Sequence, residues 1–464
     1  MDGLLLAYYG DDFTGSTDVL ESLSLNGVPT ILFLETPDAR DLERFGNVRA
    51  VGIAGTSRSM SPEEMEASLS SAFEVLDALG PEIVQYKVCS TFDSSPEVGS
   101  IGRAIDVGQR TFDSPFVPVV VATPSLEPRG RYVVFGNLFA TVEGTNYRLD
   151  RHPTMSRHPV TPMTEADLTL HLGEQTDREI GLLDVRHIDE NDGTTLDRTL
   201  DAVAASNEIV VFDGLDREHQ QKVARLIWER CENRGDDPLF SASSSGLNYA
   251  LSRYWRSAGV VSASEQPRSV EAVEQILVMS GSASPVNCDQ IDWALDNGFE
   301  GIRLDAPRLV DPDTAEAARK EAIDTALRVL EEGGSPLLYS VRGPDDNAVE
   351  RTIERATELS LDETRVGPRL GDEQGRITRG ILDTAPVERV CVAGGDTSGN
   401  VAPHLDVFAL EFLAPVGAGS PLCRAASRTA AFDGLQVALK GGQVQTAHEG
   451  ADFFGVVRDG GILP

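Results

Sequence analysis

Residues 4–18 read LLLAYYGDDFTGSTD, and this stretch decides the architecture. Leu4–Tyr9 is an apolar strand, Gly10 through Gly15 form a turn, and a helix is expected over about 15–26. A strand that passes through glycine into a helix is the βα unit of a parallel sheet. The alternation recurs down the chain. In the first half, strands are expected at Thr30–Leu34, Ala50–Ala54, Ile83–Lys87, Val117–Val121 and Glu208–Phe212. Helices are expected at about 62–79, 97–109, 195–205 and 216–231. Segment 123–165, rich in Arg, Pro and His, reads as an irregular loop region. The small, polar stretch 256–270 reads as a linker. Beyond it, strands are expected at Ile276–Ser280, Gly301–Leu304, Leu337–Val341 and Val390–Ala393, and near 407–413 and 435–439. The helices between them fall at about 287–297, 313–332, 347–359 and 373–383. The fold class is therefore α/β: two α/β domains with mainly parallel sheets facing a cleft, over 1–255 and 270–464.

Composition narrows the function classes. Of 464 residues, 41% are hydrophobic and 25% charged, as in globular chains. A net charge of −34 repels nucleic-acid phosphates and anionic lipid, so neither is an expected partner. No run approaches the ~20 apolar residues that span a bilayer. Five scattered cysteines without a C-x-x-C pair suit reduced thiols in a cytoplasm. His152 and His158 are six apart, unlike a helical zinc pair, so no protein-built metal site is expected. Nothing fixes the oligomeric state, and a homo-oligomer stays open.

Six short segments carry chemistry, most of them after a strand. In the first, Asp11 and Asp12 can orient hydroxyls or take a proton, while Thr14 and the Gly15 amide can hold an anion. Asp12 and Thr14 would also serve as a plain helix cap. A haloacid-dehalogenase-type phosphatase needs Asp-x-Asp, and these acids are adjacent. GTSRS (55–59) offers Arg58 as a bidentate carboxylate clamp, or simply as a surface Arg. QYKVCSTFDSSP (85–96) delivers Lys87, Ser90, Thr91, Asp93 and Ser94. Lys87 is one of only four lysines among 40 basic residues, which suggests that a compact point charge is needed there to meet a carboxylate. MSGSASP (279–285) places Ser282 and Ser284 beside backbone that a phosphate can approach. VCVAGGDTSGN (390–400) is the strongest local signal. Gly394, Gly395, Asp396 and Thr397 form a strand-to-helix turn whose amides cradle phosphate, with Asp396 near Mg²⁺ through water. It is not a Walker A sequence. ALKGGQV (438–444) adds Lys440 and Gly441.

Taken together, the segments resemble the four-carbon acid sugar kinase family. Asp11–Gly15 matches its D-D-F-T-G motif, Gly281–Ser284 its G-S-x-S, Gly394–Gly399 its G-G-E/D-T-S-G, and Lys440–Gly442 its late lysine-glycine turn. Lys87–Ser94 and His158–Met163 look like the branch containing 3-oxo-tetronate kinases. GSPLCRA (419–425) departs from the usual Pro-Gly-Val-Pro turn, and Gln445–Glu449 looks like an addition. The resemblance implies an N-terminal acid-sugar domain and a C-terminal domain where Ser282, Gly394–Thr397 and Gly441 contact ATP. Asp12 is then the favoured base with Asp93 as runner-up, and Asp11, Thr14, Arg58, Lys87, Ser90 and Thr91 bind the acid. ATP, Ser284, Lys440 and Mg²⁺ complete the expectation. The acceptor expected is 3-oxo-tetronate, at its 4-hydroxyl. Threonate, erythronate, or a non-catalytic acid-sugar sensor are the alternatives.

Overall fold

The opening apolar run becomes strand β1 (Leu4–Gly10), buried from Leu5 onward. The computed structural model describes residues 3–461 apart from 125–129, 143, 159, 190–192, 233, 235–236, 263–268, 363–364 and 447–451. The chain divides into two units, Met1–Gln266 and Pro267–Pro464. Part of the expected linker and residues 447–449 of the expected addition thus lie outside the described residues.

In the first unit β2 (Thr30–Phe33), β3 (Ala50–Ala54) and β4 (Pro81–Lys87) follow β1. Then come β5 (Val117–Val120), β6 (Arg131–Val134), β7 (Asn137–Val142) and β8 (Thr145–Arg148). The last are β9 (Ile180–Leu183), β10 (Ile209–Phe212) and β11 (Leu239–Ser243). Strands β11-β4-β1-β3-β2 pair in that order, all parallel. A second parallel sheet runs β5-β10-β9, and an antiparallel one β6-β7-β8. Adjacent tyrosines show how the sheet is covered on both faces. Tyr8 donates its hydroxyl to the Ser16 carbonyl in the helix Phe13–Leu25, whereas Tyr9 packs edge-on against Phe73 of the helix Pro62–Ala78. Strand period two dictates that split.

The connection after β1 runs outward to β2, and the one after β3 returns across β1 to β4. Neighbouring strands whose connections leave in opposite directions open a crevice at their carboxyl ends, where open α/β sheets take ligands.

The second unit contains β12 (Leu277–Ser280), β13 (Phe299–Arg303), β14 (Ser335–Tyr339), β15 (Arg389–Ala393), β16 (Val407–Gly417), β17 (Ser420–Ser427) and β18 (Gln436–Lys440). Strands β18-β15-β12-β14-β13 are parallel neighbours, while β16 and β17 extend the sheet antiparallel. Ser280, Ala393 and Lys440 lie in register, so three motif loops leave the same edge.

The α/β class with mainly parallel sheets is as expected. Segment 123–165 is not wholly irregular, because β6–β8 form within it. These strands are short, one-sided and interrupted by Arg and Asn, so they carry little apolar alternation. β11 was hidden by Ser241 and Ser243, whose hydroxyls bond to each other and to the Pro118 carbonyl inside the core.

Candidate active site

At the carboxyl edge of the first sheet, backbone bonds stitch three loops together. Asp11 donates its amide to the Lys87 carbonyl (2.9 Å), Gly55 to Gly10 (2.9 Å), and Arg58 to Asp11 (3.0 Å). The sequence segments around 11, 58 and 87 thereby become one site. Its centre is an acid–guanidinium knot. Arg58 grips the buried Asp11 carboxylate bidentately through Nε (3.0 Å) and Nη2 (2.8 Å), and reaches Asp12 Oδ2 through Nη1 (2.8 Å). Burial pushes the Asp11 carboxyl up from its ordinary value, while Arg58 pulls it back. The Arg58 fork, expected as a carboxylate clamp, is occupied here by Asp11 and Asp12, so Arg58 orders the acids. Asp12 is likewise engaged, its Oδ1 capping the helix through the Gly15 amide at 2.8 Å.

Lys87 stands differently. Its side chain is 2% exposed, and among the described residues its ammonium has neither a hydrogen bond nor an ion pair. The ammonium lies 2.7 Å from where a Cβ on Gly15 would stand, so the glycine is what admits it to the first turn of the helix. Asp93 mirrors it in sign: the residue is 9% exposed and Oδ1 is buried without a partner. Arg58, Lys87, Asp12 and Asp93 all act on the thiol of Cys89, which burial and then Asp93 push above its ordinary value. Cys89 Sγ meets Thr91 Oγ1 at 2.9 Å. Ser90 and Thr14 are half-buried on the same loops. Two buried polar side chains, neither with a hydrogen bond among the described residues, are costly unless a ligand completes them.

Sequence reading missed Asp18, whose carboxyl takes part in the same field. Burial raises its affinity for a proton and Lys87 lowers it, and Tyr249 donates to it at 3.4 Å. Its signal was positional: Asp18 follows Gly15 by three and shares its helix face.

In the second unit, the Gly281 amide donates to Ala393 (2.9 Å) and Gly394 to Lys440 (2.9 Å), and Ser284 donates its hydroxyl to the Gly442 carbonyl. The turns at 281–284, 394–397 and 440–442 are thus brought together. Gly394 has φ +126°, and a Cβ there would stand 2.9 Å from Thr397 Oγ1, so the turn requires glycine. The helix Gly395–His404 begins at this turn, and the amides of Gly395, Asp396 and Thr397 have no acceptor among the described residues. Gly395 and Asp396 are exposed. Such a helix start is an anion cradle. Ser284 caps the helix Pro285–Asp296, and Ser282 lies in the same turn, its hydroxyl bonded to the Ser284 amide at 3.3 Å.

Lys440 is at the right edge, but its ammonium turns inward. It is 1% exposed, donates to Gly441 O (3.2 Å) and Asn287 Oδ1 (3.4 Å), and sits 5.3 Å from the centre of the Phe453 ring. It braces the turn from beneath. Burial lowers its pKa from 10.5 to about 8. The unfolded chain therefore holds this proton more tightly, and the second unit should gain stability as pH rises from about 8 towards 10.5. Thermal melts between these values should show that slope in the parent protein and its loss in Lys440→Met.

Comparisons with known proteins address the whole chain. A sugar-binding N-terminal domain matches residues 6–251, and a nucleotide-binding C-terminal domain matches residues 277–448. The chain is 47% identical to a 3-oxo-isoapionate kinase of Paraburkholderia graminis, over 99% of this chain and 95% of that one. It is 30% identical to a 3-oxo-tetronate kinase of Cupriavidus necator, over 97% and 95%. Among solved structures, a Salmonella typhimurium LT2 protein aligns with TM-score 0.78 at 24% identity, over 99% of this chain and 100% of that one. A Haemophilus influenzae protein aligns with TM-score 0.72 at 20% identity, over 97% and 98%. These two share the fold. No helix among the described residues is long and apolar enough to cross a membrane.

Proposed function

Because the chain belongs to the four-carbon acid sugar kinase family and is an ATP-dependent carbohydrate kinase, we propose that its acceptor is a 3-oxo acid sugar, 3-oxo-isoapionate before 3-oxo-tetronate. The order follows from relatives: the one at 47% identity is named for the first acid and the one at 30% for the second. It replaces the sequence-based preference for 3-oxo-tetronate. The observation that carries the reading is the Lys87 ammonium, without a hydrogen bond among the described residues, at the end of β4 whose following loop bears the partnerless Asp93 oxygen. A carboxylate with a nearby carbonyl offers only acceptors, which Lys87, Thr91, Ser90 and Thr14 can meet with donors. The hydroxyl of the acid offers a donor, which Asp93 can meet.

The roles divide accordingly. Lys87 pairs with the acid's carboxylate. Asp93 accepts the hydroxyl proton as that oxygen bonds to the γ-phosphorus and the bond to the β-γ bridging oxygen breaks, leaving ADP. We favour Asp93 over Asp12, because both Asp12 oxygens are already engaged, by the Gly15 amide and by Arg58. The Gly395–Thr397 amides hold the phosphates, with Ser282 and Gly441 beside them and Ser284 and Lys440 fixing the turns. Among the described residues no group of three acids, cysteines or histidines is arranged to hold a metal ion. Asp396 and the phosphates, with water, would therefore hold Mg²⁺, which neutralises charge on the transferring group. Soluble cytoplasmic metabolism is the setting we assign.

ADP release should be measured with ATP, Mg²⁺ and a panel of 3-oxo-isoapionate, 3-oxo-tetronate, threonate and erythronate. We expect the highest kcat/KM with 3-oxo-isoapionate. Calorimetric binding of an acid with no ADP release from any would favour the sensor instead. Gly15→Ala supplies a second check. The added methyl would meet Lys87 Nζ at 2.7 Å and Asp12 Oδ1 at 2.5 Å, forcing the ammonium away. The KM for the acid should rise about 10–100-fold with the KM for ATP little changed.

A further inference from the structure

Beyond strand β4 the chain does something unusual. Phe92 adopts φ +58°, the left-handed region that a bulky residue avoids. Its neighbours on either side are Thr91 and Asp93, both placed in the acid-binding loop above. A left-handed residue there persists only if its surroundings over-determine it.

They do. The Phe92 ring is fully buried and packs 5.9 Å from the His171 ring. Ser94, 2% exposed, donates its hydroxyl to the Phe92 carbonyl at 3.0 Å. That hydroxyl also meets His171 Nε2 at 2.9 Å and accepts from Gln175 Nε2 at 3.0 Å. A serine has one proton, so with it on the Phe92 carbonyl, the proton of His171 sits on Nε2 and points at Ser94. Burial lowers the His171 pKa to about 4, which keeps the ring neutral across the working range. His171 comes from the short helix Leu168–Gly173, almost eighty residues downstream of the loop it supports.

We propose that His171 is a positioning residue for phosphoryl acceptance: by donating to Ser94 it locks the Phe92 turn and so aims the Asp93 carboxylate at the acid's hydroxyl. The inference rests on the reading of Asp93 given above. The geometry that supports it is a chain of contacts, His171 to Ser94 to the Phe92 carbonyl, that ends one residue from an orphaned carboxylate oxygen. The turn is flanked by Thr91 and Asp93, and of the two only Asp93 carries a buried oxygen without a partner, so Asp93 is where its effect on turnover should be read.

The test is a double-mutant cycle read in kcat, KM and melting temperature, with ATP and whichever of 3-oxo-isoapionate and 3-oxo-tetronate is phosphorylated. His171→Leu fills the space without a donor, and His171→Gln restores an N–H. We expect His171→Leu and Ser94→Ala each to lower kcat about 10–100-fold with the KM for ATP unchanged, and His171→Gln to recover most of it. In an Asp93→Asn background, His171→Leu should lower kcat no further. If Asp93→Asn leaves turnover intact, the reading of Asp93 fails. If Asp93→Asn abolishes turnover while folded His171→Leu and Ser94→Ala remain fully active, the role of His171 fails alone. Equal losses in melting temperature and kcat for Leu and Gln would reduce His171 to a structural residue.

Discussion

Lys87→Met should lower kcat/KM for the acid sugar about 10²–10³-fold while the KM for ATP stays within about threefold. The size follows from burial. Lys87 is 2% exposed and its ammonium has no hydrogen bond among the described residues, so in the reading proposed above the ligand's carboxylate would be its direct partner. Methionine keeps the stem but leaves that carboxylate facing Asp11, Asp12 and Asp18 with only Arg58, already committed, to offset them. Steady-state kinetics with each substrate varied in turn checks it. Losses equal for ATP and acid would remove Lys87 from the acid's site.

Arg389→Met should cost the protein about 3–5 kcal/mol and bring the melting transition of the second unit down by roughly 10 °C, as scanning calorimetry would record. Arg389 opens β15 and is fully buried. Its Nη1 donates to the carbonyls of Val457 and Arg458, both at 2.8 Å. Nη2 reaches Glu271 O at 2.9 Å and Gln436 Oε1 at 2.6 Å, and Nε reaches the same Oε1 at 2.9 Å. One side chain thus satisfies the end of the helix Phe453–Asp459, the entry segment of the unit and β18. Methionine would strand those carbonyls, and unsatisfied buried acceptors are costly. The helix it anchors supplies Phe453, against which Lys440 rests, so nucleotide affinity should weaken before the unit melts.

The sequence made the βα alternation legible because strands such as β1, β2 and β10 are continuous apolar runs buried on both faces. It located Asp11, Lys87 and Gly394 because each follows such a run directly. What it lacked was partnership. Arg58 looked available, since nothing local shows that Asp11, forty-seven residues away, would occupy it. Asp12 and Asp93 looked alike, yet only Asp93 keeps a buried oxygen unpaired. Lys440 follows its strand as a phosphate ligand would, but the sequence does not show that Asn287, Gly441 and Phe453 surround its ammonium. His171 gave no signal at all, because its partner Ser94 belongs to a loop joined to it only by folding.

One pairing also orders events in time. β4 is complete at residue 87, but its outer neighbour β11 begins at Leu239, and the Ser243 carbonyl is what receives the Val88 amide and the Gln85 side chain. A ribosome must therefore make more than half of the polypeptide before the first sheet can close at β4. Until then the growing chain carries an unzipped β-edge, the kind of surface that chaperones shield and that misassembles when translation outruns folding.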